Sequence, residues 1–497
     1  MTSRSGAAAD VIAADQPGVA AEALRPVDDA RSRLDALLDP GTLLELGSQR
    51  QHRAFGFGME QRRPDGDGVV AGVGAIGGRP VHVYAQDRHV LGGSLGEAHA
   101  DRIARTIEAA ARGGTPVVGI NDSGGARIQE GVASLDGYGA VFRANVVASG
   151  RVPQIALVLG PCAGGAVYSP ALMDFVVMRR DAYMFLTGPR VVKAVTHEDV
   201  DALTLGGPAV HTERSGCAHF VVDDDAAAFA LARDLLSYLP SSSHTPAPSV
   251  PALPPADVDL ANVVPTDERQ PYDVRDVIAG IVDGGRLLEV HAAWARNLVV
   301  GFARVDGETV GIVANQADWL AGCLDLQASE KGAAFVRFCD AFSIPLVVLV
   351  DVPGFLPGTA QESGGVIRKG GTLLRAFASA TVPRVTVVLR KAYGGAYIVM
   401  NSRSLGADAV LAWPRAELAV MGAEGAVDVI YRREVAADPT ARERLAERYR
   451  AEAMDVTLAA RRGSVDEIIE PAATRPALIS LLRALRGGAP AVVGAPA

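Results

Sequence analysis

Two short stretches of this 497-residue chain offer main-chain rather than side-chain chemistry. Cys162 to Pro170 reads CAGGAVYSP, and Tyr393 to Asn401 reads YGGAYIVMN. Each holds a Gly-Gly-Ala step, Gly164-Gly165-Ala166 and Gly394-Gly395-Ala396, after a β-branched run opened by a proline. Glycine permits positive φ and lets a ligand approach the backbone closely. At a strand-to-helix turn the free N–H groups and the helix dipole favour an anion. Where that anion is an oxygen that gains charge only during reaction, the turn is an oxyanion hole. The competing reading is a tight turn that packs a helix on a sheet. Two such turns favour the hole, and each has a second Gly-rich loop to go with it. These loops are Ser123-Gly124-Gly125-Ala126-Arg127 and Pro353-Gly354-Phe355-Leu356-Pro357-Gly358.

The elements that must position these turns are repeated. A shift of 229 residues lays Gly72 on Gly301, Gly78 on Gly307, Val81 on Val310, Gly93 on Gly322, Pro116 on Pro345, Asp122 on Asp351 and Gly125 on Gly354. After one inserted residue the shift is 230, Pro153 meets Pro383, and the Gly-Gly-Ala steps coincide. A constant offset of this kind marks an internal duplication. Each copy predicts a hairpin turning at Gly77-Gly78 or Asp306-Gly307. A helix follows, near 95–111 and 328–342. Then come a buried strand, a Gly-rich loop, a helix, a second strand and the Gly-Gly-Ala turn. Fully apolar strands alternating with helices predict α/β layering. Ser241 to Pro255, with five prolines in 15 residues, reads as a semi-rigid linker. The expected division is a loose tail over 1–25, an N-terminal domain over 26–240, a linker over 241–261 and a C-terminal domain over 262–497.

Other candidates are weaker. Gly72, Gly74 and Gly77 spell a dinucleotide fingerprint, but a hairpin strand follows where a helix is required. Cys162 reads as a small apolar filler before the turn rather than a nucleophile. His197, His211 and His219 have no ligand spacing, so no metal site is expected. The net charge of −9, with no basic block, argues against nucleic acid as a main partner. No run reaches the ~18 apolar residues of a membrane helix, and the N-terminus has no signal-peptide core. Four cysteines without metal spacing fit a reduced, cytoplasmic setting.

Two holes suit a reaction in which two carbonyl oxygens gain charge, such as carboxyl transfer between a urea-type carrier and a thioester. A hydratase or isomerase would instead need a carboxylate in the first hole, for which Glu130 is the nearest candidate. A subunit that has lost activity is a third reading.

The motifs NDSGGARIQEG with GPCAGGAVYSPA, and DVPGFLPG with RKAYGGAY, resemble the carboxyltransferase (β) subunit of acyl-CoA carboxylases. The nearest likeness is to propionyl-CoA carboxylase β chains of actinobacterial type, over about Asp35 to Gly488. The resemblance implies two tandem crotonase-like domains and a homohexamer built as a trimer of dimers. It implies a site shared between the N-domain of one subunit and the C-domain of another. It also implies a coenzyme A thioester substrate and biotin on a separate carrier, with a biotin carboxylase/biotin carrier α subunit as partner. By this likeness Gly164 and Gly165 hold the enolate oxygen, and Gly395 and Ala396 the biotin ureido oxygen. Ser123 to Arg127, Ala163, Ala166, Tyr168 and Ile398 line the acyl-CoA side. Pro353 to Leu356, Gly358, Tyr393, Gly394 and Tyr397 line the biotin side. A biotin-linked decarboxylase would run the same chemistry backward. Propionyl-CoA-type members usually carry Asp where this chain has Ile398, which implies an acyl pocket with one charged wall removed. The family's opening segment is eroded to RPVDDARSRL, and GEAHADRI lacks the usual Tyr-Gly and the Lys that follows. Both changes touch the outer grip on coenzyme A.

Overall fold

The computed structural model describes residues 29–486. The tail expected over 1–25 lies outside the described residues. Two eight-stranded sheets of the same topology make up the chain. The first contains β1 (Leu44–Glu45), β2 (Val69–Ile76), β3 (Arg79–Gln86), β4 (Val117–Ser123), β5 (Gln154–Ala163), β6 (Phe175–Arg179), β7 (Tyr183–Phe185) and β8 (Phe220–Val222). The second contains β9 (Leu288–Val290), β10 (Leu298–Val305), β11 (Glu308–Asn315), β12 (Leu346–Val352), β13 (Arg384–Tyr393), β14 (Ala409–Ala412), β15 (Glu417–Ala419) and β16 (Glu467–Ile468). Their orders are β1-β2-β3-β4-β5-β6-β8 and β9-β10-β11-β12-β13-β14-β16, with β7 added to β5 and β15 to β13. The first three strands of each sheet pair antiparallel and the rest parallel.

The duplicated sequence features explain the duplicated form. All seven residues of β4 and of β12 are buried, as strands covered on both faces require. Both hairpins turn through two residues of positive φ, Gly77-Gly78 (57°, 73°) and Asp306-Gly307 (59°, 79°). Gly72 and Gly301 are glycine because the edge strand crosses them. A Cβ there would sit 2.1 Å from Leu44 O or 2.5 Å from Leu288 O. The dinucleotide fingerprint is therefore sheet packing. The long helices after the hairpins run Glu97–Gly113 and Leu326–Ala341, within two residues of the expected spans.

The two halves share a core. Phe175 of β6 packs edge-on against Phe302 of β10 and Phe338, with ring centroids 5.9 and 4.9 Å apart. Arg304 lies 4.1 Å from the Tyr238 ring centroid and donates to Ser237 O at 2.8 Å. The proline-rich segment is fastened too: Val250 N donates to Gly307 O at 3.0 Å, and Gly284 N to Pro254 O at 2.8 Å.

At this junction His219 and His291 stack with ring centroids 4.0 Å apart. Burial holds both imidazoles below their ordinary pKa, His291 at about 4. Above pH 6.5 neither the folded nor the unfolded imidazole is charged, and this contribution to stability is fully present. Between pH 6.5 and about 4 the unfolded chain binds the proton first, so stability falls as the pH falls. The melting temperature is expected to drop on acidification through this window. His291→Asn should flatten that slope in a thermal melt series; an identical slope in the variant would rule the histidine out as its source.

Candidate active site

Strands β4 and β12 both lose register with their neighbours at the end, between Asn121 and Ser123 and between Val350 and Val352. These irregularities aim the following loops away from the sheet. Each loop is then tied by a short parallel bridge, Leu95 with Ala126 and Leu324 with Phe355. Leu95 N donates to Gly125 O at 2.9 Å, and Leu324 N to Gly354 O at 3.0 Å. Beside each loop the next strand ends in extended backbone at Ala163 or Tyr393. The chain then turns through Gly164 (φ 62°) or Gly394 (φ 60°) into a short helix, Gly164–Val167 or Gly394–Val399. The first N–H groups of a helix have no acceptor within it, and no side chain caps either turn. Both turns thus present uncommitted amides at a helix start. A Cβ on Gly395 would meet nothing within 4 Å, so the space over the second turn is open.

A buried aspartate under each site is neutralised from a different place. Asp122 pairs with Arg33 at 2.9 Å, and burial raises its pKa against the pull of that guanidinium. Asp351, its counterpart, pairs with Arg390 at 3.0 Å. Arg390 falls on Gly160 in the first copy, where a Cβ would sit 2.4 Å from the Asp122 carboxylate. The first copy has no room for a cation on that strand and takes one from the helix Ala30–Leu37 instead.

The expected site residues divide by direction. In the first loop Gly124 is exposed and Ala126 half-buried, while Ser123 and Gly125 are buried. Ser123 Oγ donates to Gly93 O at 2.7 Å and accepts from Gly125 N at 3.2 Å, so it fastens the loop. Arg127, expected on the acyl-CoA side, turns inward and is 1% exposed. It donates to Asp67 Oδ1 at 2.5 Å, Glu130 Oε1 at 2.8 Å and Ser94 O at 2.8 Å. Glu130 Oε2 accepts from Glu97 N at 2.8 Å, which caps the helix Glu97–Gly113. In the second copy Gln361 Oε1 accepts from Leu326 N at 3.1 Å in the same way. A neutral amide doing the same job gives Glu130 a capping role and leaves the hydratase reading without its carboxylate.

Gly164, Gly165 and Ala163 are half-buried, and Ala166 and Ala396 lie beneath their turns. Tyr168 and Ile398, at matched positions 230 apart, are 47% and 43% exposed. Pro353, Gly354, Phe355 and Leu356 are half-buried and Gly358 exposed. Tyr397 is half-buried, whereas Tyr393 is buried and its hydroxyl donates to Glu417. That contact and the Glu417 strand were not foreseen; only the placement of Tyr393 before the turn hinted at it. Cys162 is buried, and burial pushes its thiol well above the ordinary range, which removes it as a nucleophile. His211 is spent on Met184 O and Ser215 Oγ, and His197 ends a helix in left-handed backbone. Among the described residues no group of His, Cys, Asp or Glu is placed to hold a metal ion, and no helix is long and apolar enough to cross a membrane.

The carboxyl transferase domain family matches residues 28–492. The chain is 55% identical over 460 residues to the methylmalonyl-CoA carboxyltransferase 12S subunit of Propionibacterium freudenreichii subsp. shermanii, covering 91% of this chain and 87% of that one. It is 52% identical over 452 residues to the mitochondrial propionyl-CoA carboxylase beta chain of Homo sapiens, covering 90% and 83%. Among solved structures, a hexameric transcarboxylase 12S with hydrolysed methylmalonyl-CoA bound superposes with a TM-score of 0.90 at 53% identity, over 94% of this chain and 92% of that one. A single-chain, multi-domain long-chain acyl-CoA carboxylase superposes at 0.80 with 30% identity, over 91% of this chain and 46% of that one. With duplicated crotonase-like sheets, paired uncapped glycine turns and these relatives, the chain belongs to the carboxyl transferase family.

Proposed function

We propose that this chain is the carboxyltransferase subunit of a biotin-dependent acyl-CoA carboxylase, acting on a short acyl-CoA. The observation that carries the reading is the pair of uncapped turns with left-handed Gly164 and Gly394, one in each half. Biotin, borne on a separate carrier, supplies the activated carboxyl group. The first turn stabilises the thioester oxygen as the α-carbon loses its proton and the enolate forms. The donors there are the Gly164 and Gly165 amides, with Ala166 added because it matches Ala396. The second turn, through Gly395 and Ala396, holds the ureido oxygen of the biotin. The open space over Gly395 and the exposed apolar Ile398, Val420 and Met421 nearby in the chain suit that flat bicyclic group. Amides fixed by the fold need no reorganisation when charge develops, which is what lowers the barrier. We divide the chain into an acyl-CoA domain over 26–240, a linker over 241–261 and a biotin domain over 262–497.

The exposure of Tyr168 and Ile398 in the single chain supports sites completed by a second subunit, in a homohexamer of the kind described for the transcarboxylase 12S. An α subunit carrying biotin carboxylase and the biotin carrier is the partner. All four cysteines are free, which supports a reducing, cytoplasmic setting.

The test is a carboxylation assay. The chain is mixed with a biotinylated carrier and biotin carboxylase, ATP and labelled bicarbonate, and offered acetyl-, propionyl- or butyryl-CoA. Acid-stable label in an acyl-CoA is expected. No label with any acceptor, and no decarboxylation of malonyl- or methylmalonyl-CoA in the reverse direction, would overturn the reading. The same assay addresses Ile398. A branched alkyl at the pocket wall favours apolar acyl chains, and a carboxylate there must be desolvated against them. Ile398→Asp is expected to shift relative kcat/KM among the three acyl lengths by about tenfold. An unchanged ranking would remove Ile398 from the acyl pocket.

A further inference from the structure

A cleft of about 400 Å³ lies where the two halves meet, and none of the turn or loop residues of the proposed active site lines it. Its walls include the stacked His219 and His291, Trp294, and three cations from the second half, Arg337, Arg368 and Lys369. Lys369 is paired with Glu330. Arg337 and Arg368 make no ion pair or hydrogen bond among the described residues, and both are exposed on helix faces. Trp294 is 8% exposed, and its Nε1–H is buried without an acceptor. A buried donor left unpaired is costly, and native folds rarely keep one without a reason.

The turn that carries Trp294 is also held in an unfavourable shape. His291 (φ 57°) and Ala295 (φ 47°) are both left-handed non-glycine residues. The buried Lys331 keeps them there, donating to His291 O at 2.9 Å, Trp294 O at 2.8 Å and Ala295 O at 3.3 Å. Backbone strain over-determined in this way gathers at ligand sites. From the first half, Gly216 O lies 3.0 Å from His291 Nε2, and Gly216 sits so close to the indole that a Cβ there would come within 2.6 Å of it. The turn is thus clamped from both halves and leaves one indole N–H unused.

We propose that this cleft binds a phosphate-type oxyanion, with Arg337 and Arg368 as charge partners and the Trp294 indole N–H as a neutral donor. Guanidinium forks match phosphate oxygens two at a time, and an N–H donor completes the shell without adding charge. An anion seated there touches both halves and braces them. The site lies beyond the carboxyl-transfer reading and does not depend on it.

The intact chain is titrated at constant ionic strength with inorganic phosphate, pyrophosphate and coenzyme A. Tryptophan emission, calorimetric heat and melting temperature are read. Saturable phosphate binding that raises the melting temperature is expected. It should weaken by about tenfold or more in Arg337→Gln/Arg368→Gln and recover in part in Arg337→Lys/Arg368→Lys. Trp294→Phe should abolish the emission change; Trp319 and Trp413, the other two tryptophans, lie outside the cleft. Affinity for inorganic phosphate or pyrophosphate identifies a free phosphate as occupant. Coenzyme A also meets the proposed acyl-CoA site, so its arm counts only the binding lost in the Gln pair, and such a loss identifies a phosphorylated cofactor. Absence of saturable binding by all three probes, or equal binding by the Gln pair, overturns the proposal.

Discussion

Valine at Gly164 or Gly394 is expected to lower kcat by about two to three orders of magnitude, with the folded chain retained. The two glycines hold φ near 60° (62° and 60°), a conformation from which a β-branched residue is driven out. Crowding is a minor factor. A Cβ on Gly164 would meet nothing within 4 Å, and one on Gly394 would lie 3.1 Å from Val420 O. The substitution acts by pulling the turn toward negative φ, which rotates the following amides off the oxygen they stabilise. The strain itself amounts to about 1–3 kcal/mol, a modest fraction of a large chain's stability. Gly395→Ala is the contrast. Its φ is not left-handed and its Cβ points into open space, so the amide stays where it is. What that variant loses measures how closely the second ligand approaches the backbone. Steady-state kinetics in both carboxylation and decarboxylation directions, beside a thermal melt, separate these outcomes. Wild-type kcat in both valine variants would show that the turns are packing devices and not oxyanion holes.

Arg127→Met is expected to destabilise the chain by about 3–5 kcal/mol. The arginine side chain is 1% exposed, and its two acidic partners Asp67 and Glu130 are 0% and 4% exposed. Burial already raises the Asp67 pKa, and the guanidinium is what opposes that rise. Removing it leaves two carboxylates desolvated beside each other. It also loosens Glu130 from the start of the helix Glu97–Gly113 and frees the Gly-rich loop that Arg127 ties to Ser94 O. Arg127→Met with Asp67→Asn and Glu130→Gln should recover most of the loss, because the uncompensated charge is gone. The second copy supports that expectation. It holds Leu356 where Arg127 stands and Gln361 for the capping carboxylate, and builds the same bridge without any charge. Chemical denaturation of the three proteins checks the prediction; a single variant as stable as wild type would make Arg127 a surface-like residue despite its burial.

The hairpins, the long helices and the glycine turns were legible because each is set by local rules. Two residues of positive φ set a hairpin, an all-apolar run sets a covered strand, and a Gly-Gly-Ala step after a strand sets the turn. Repetition at one offset then made the duplication plain. Arg127 was misplaced for a physical reason: an arginine in a Gly-rich loop looks like a ligand contact unless its acid is known, and Asp67 lies 60 residues away. The same holds for the aspartates beneath the sites. Asp122 and Asp351 matched in the sequence, but nothing local says that one is paired by Arg33, 89 residues before it, and the other by Arg390, 39 residues after it.

The sequence by itself determined the α/β class, the internal duplication, the positions of both glycine turns and the likeness to carboxyltransferase subunits. Tertiary structure alone decided which polar residues face inward, how the halves share a core, and that a strained turn between them carries an unused indole N–H beside two unpaired arginines. The reason lies in range. Turn geometry and strand pattern depend on neighbours a few residues apart. Charge pairing, burial and clefts depend on which distant segments the packed sheets bring together.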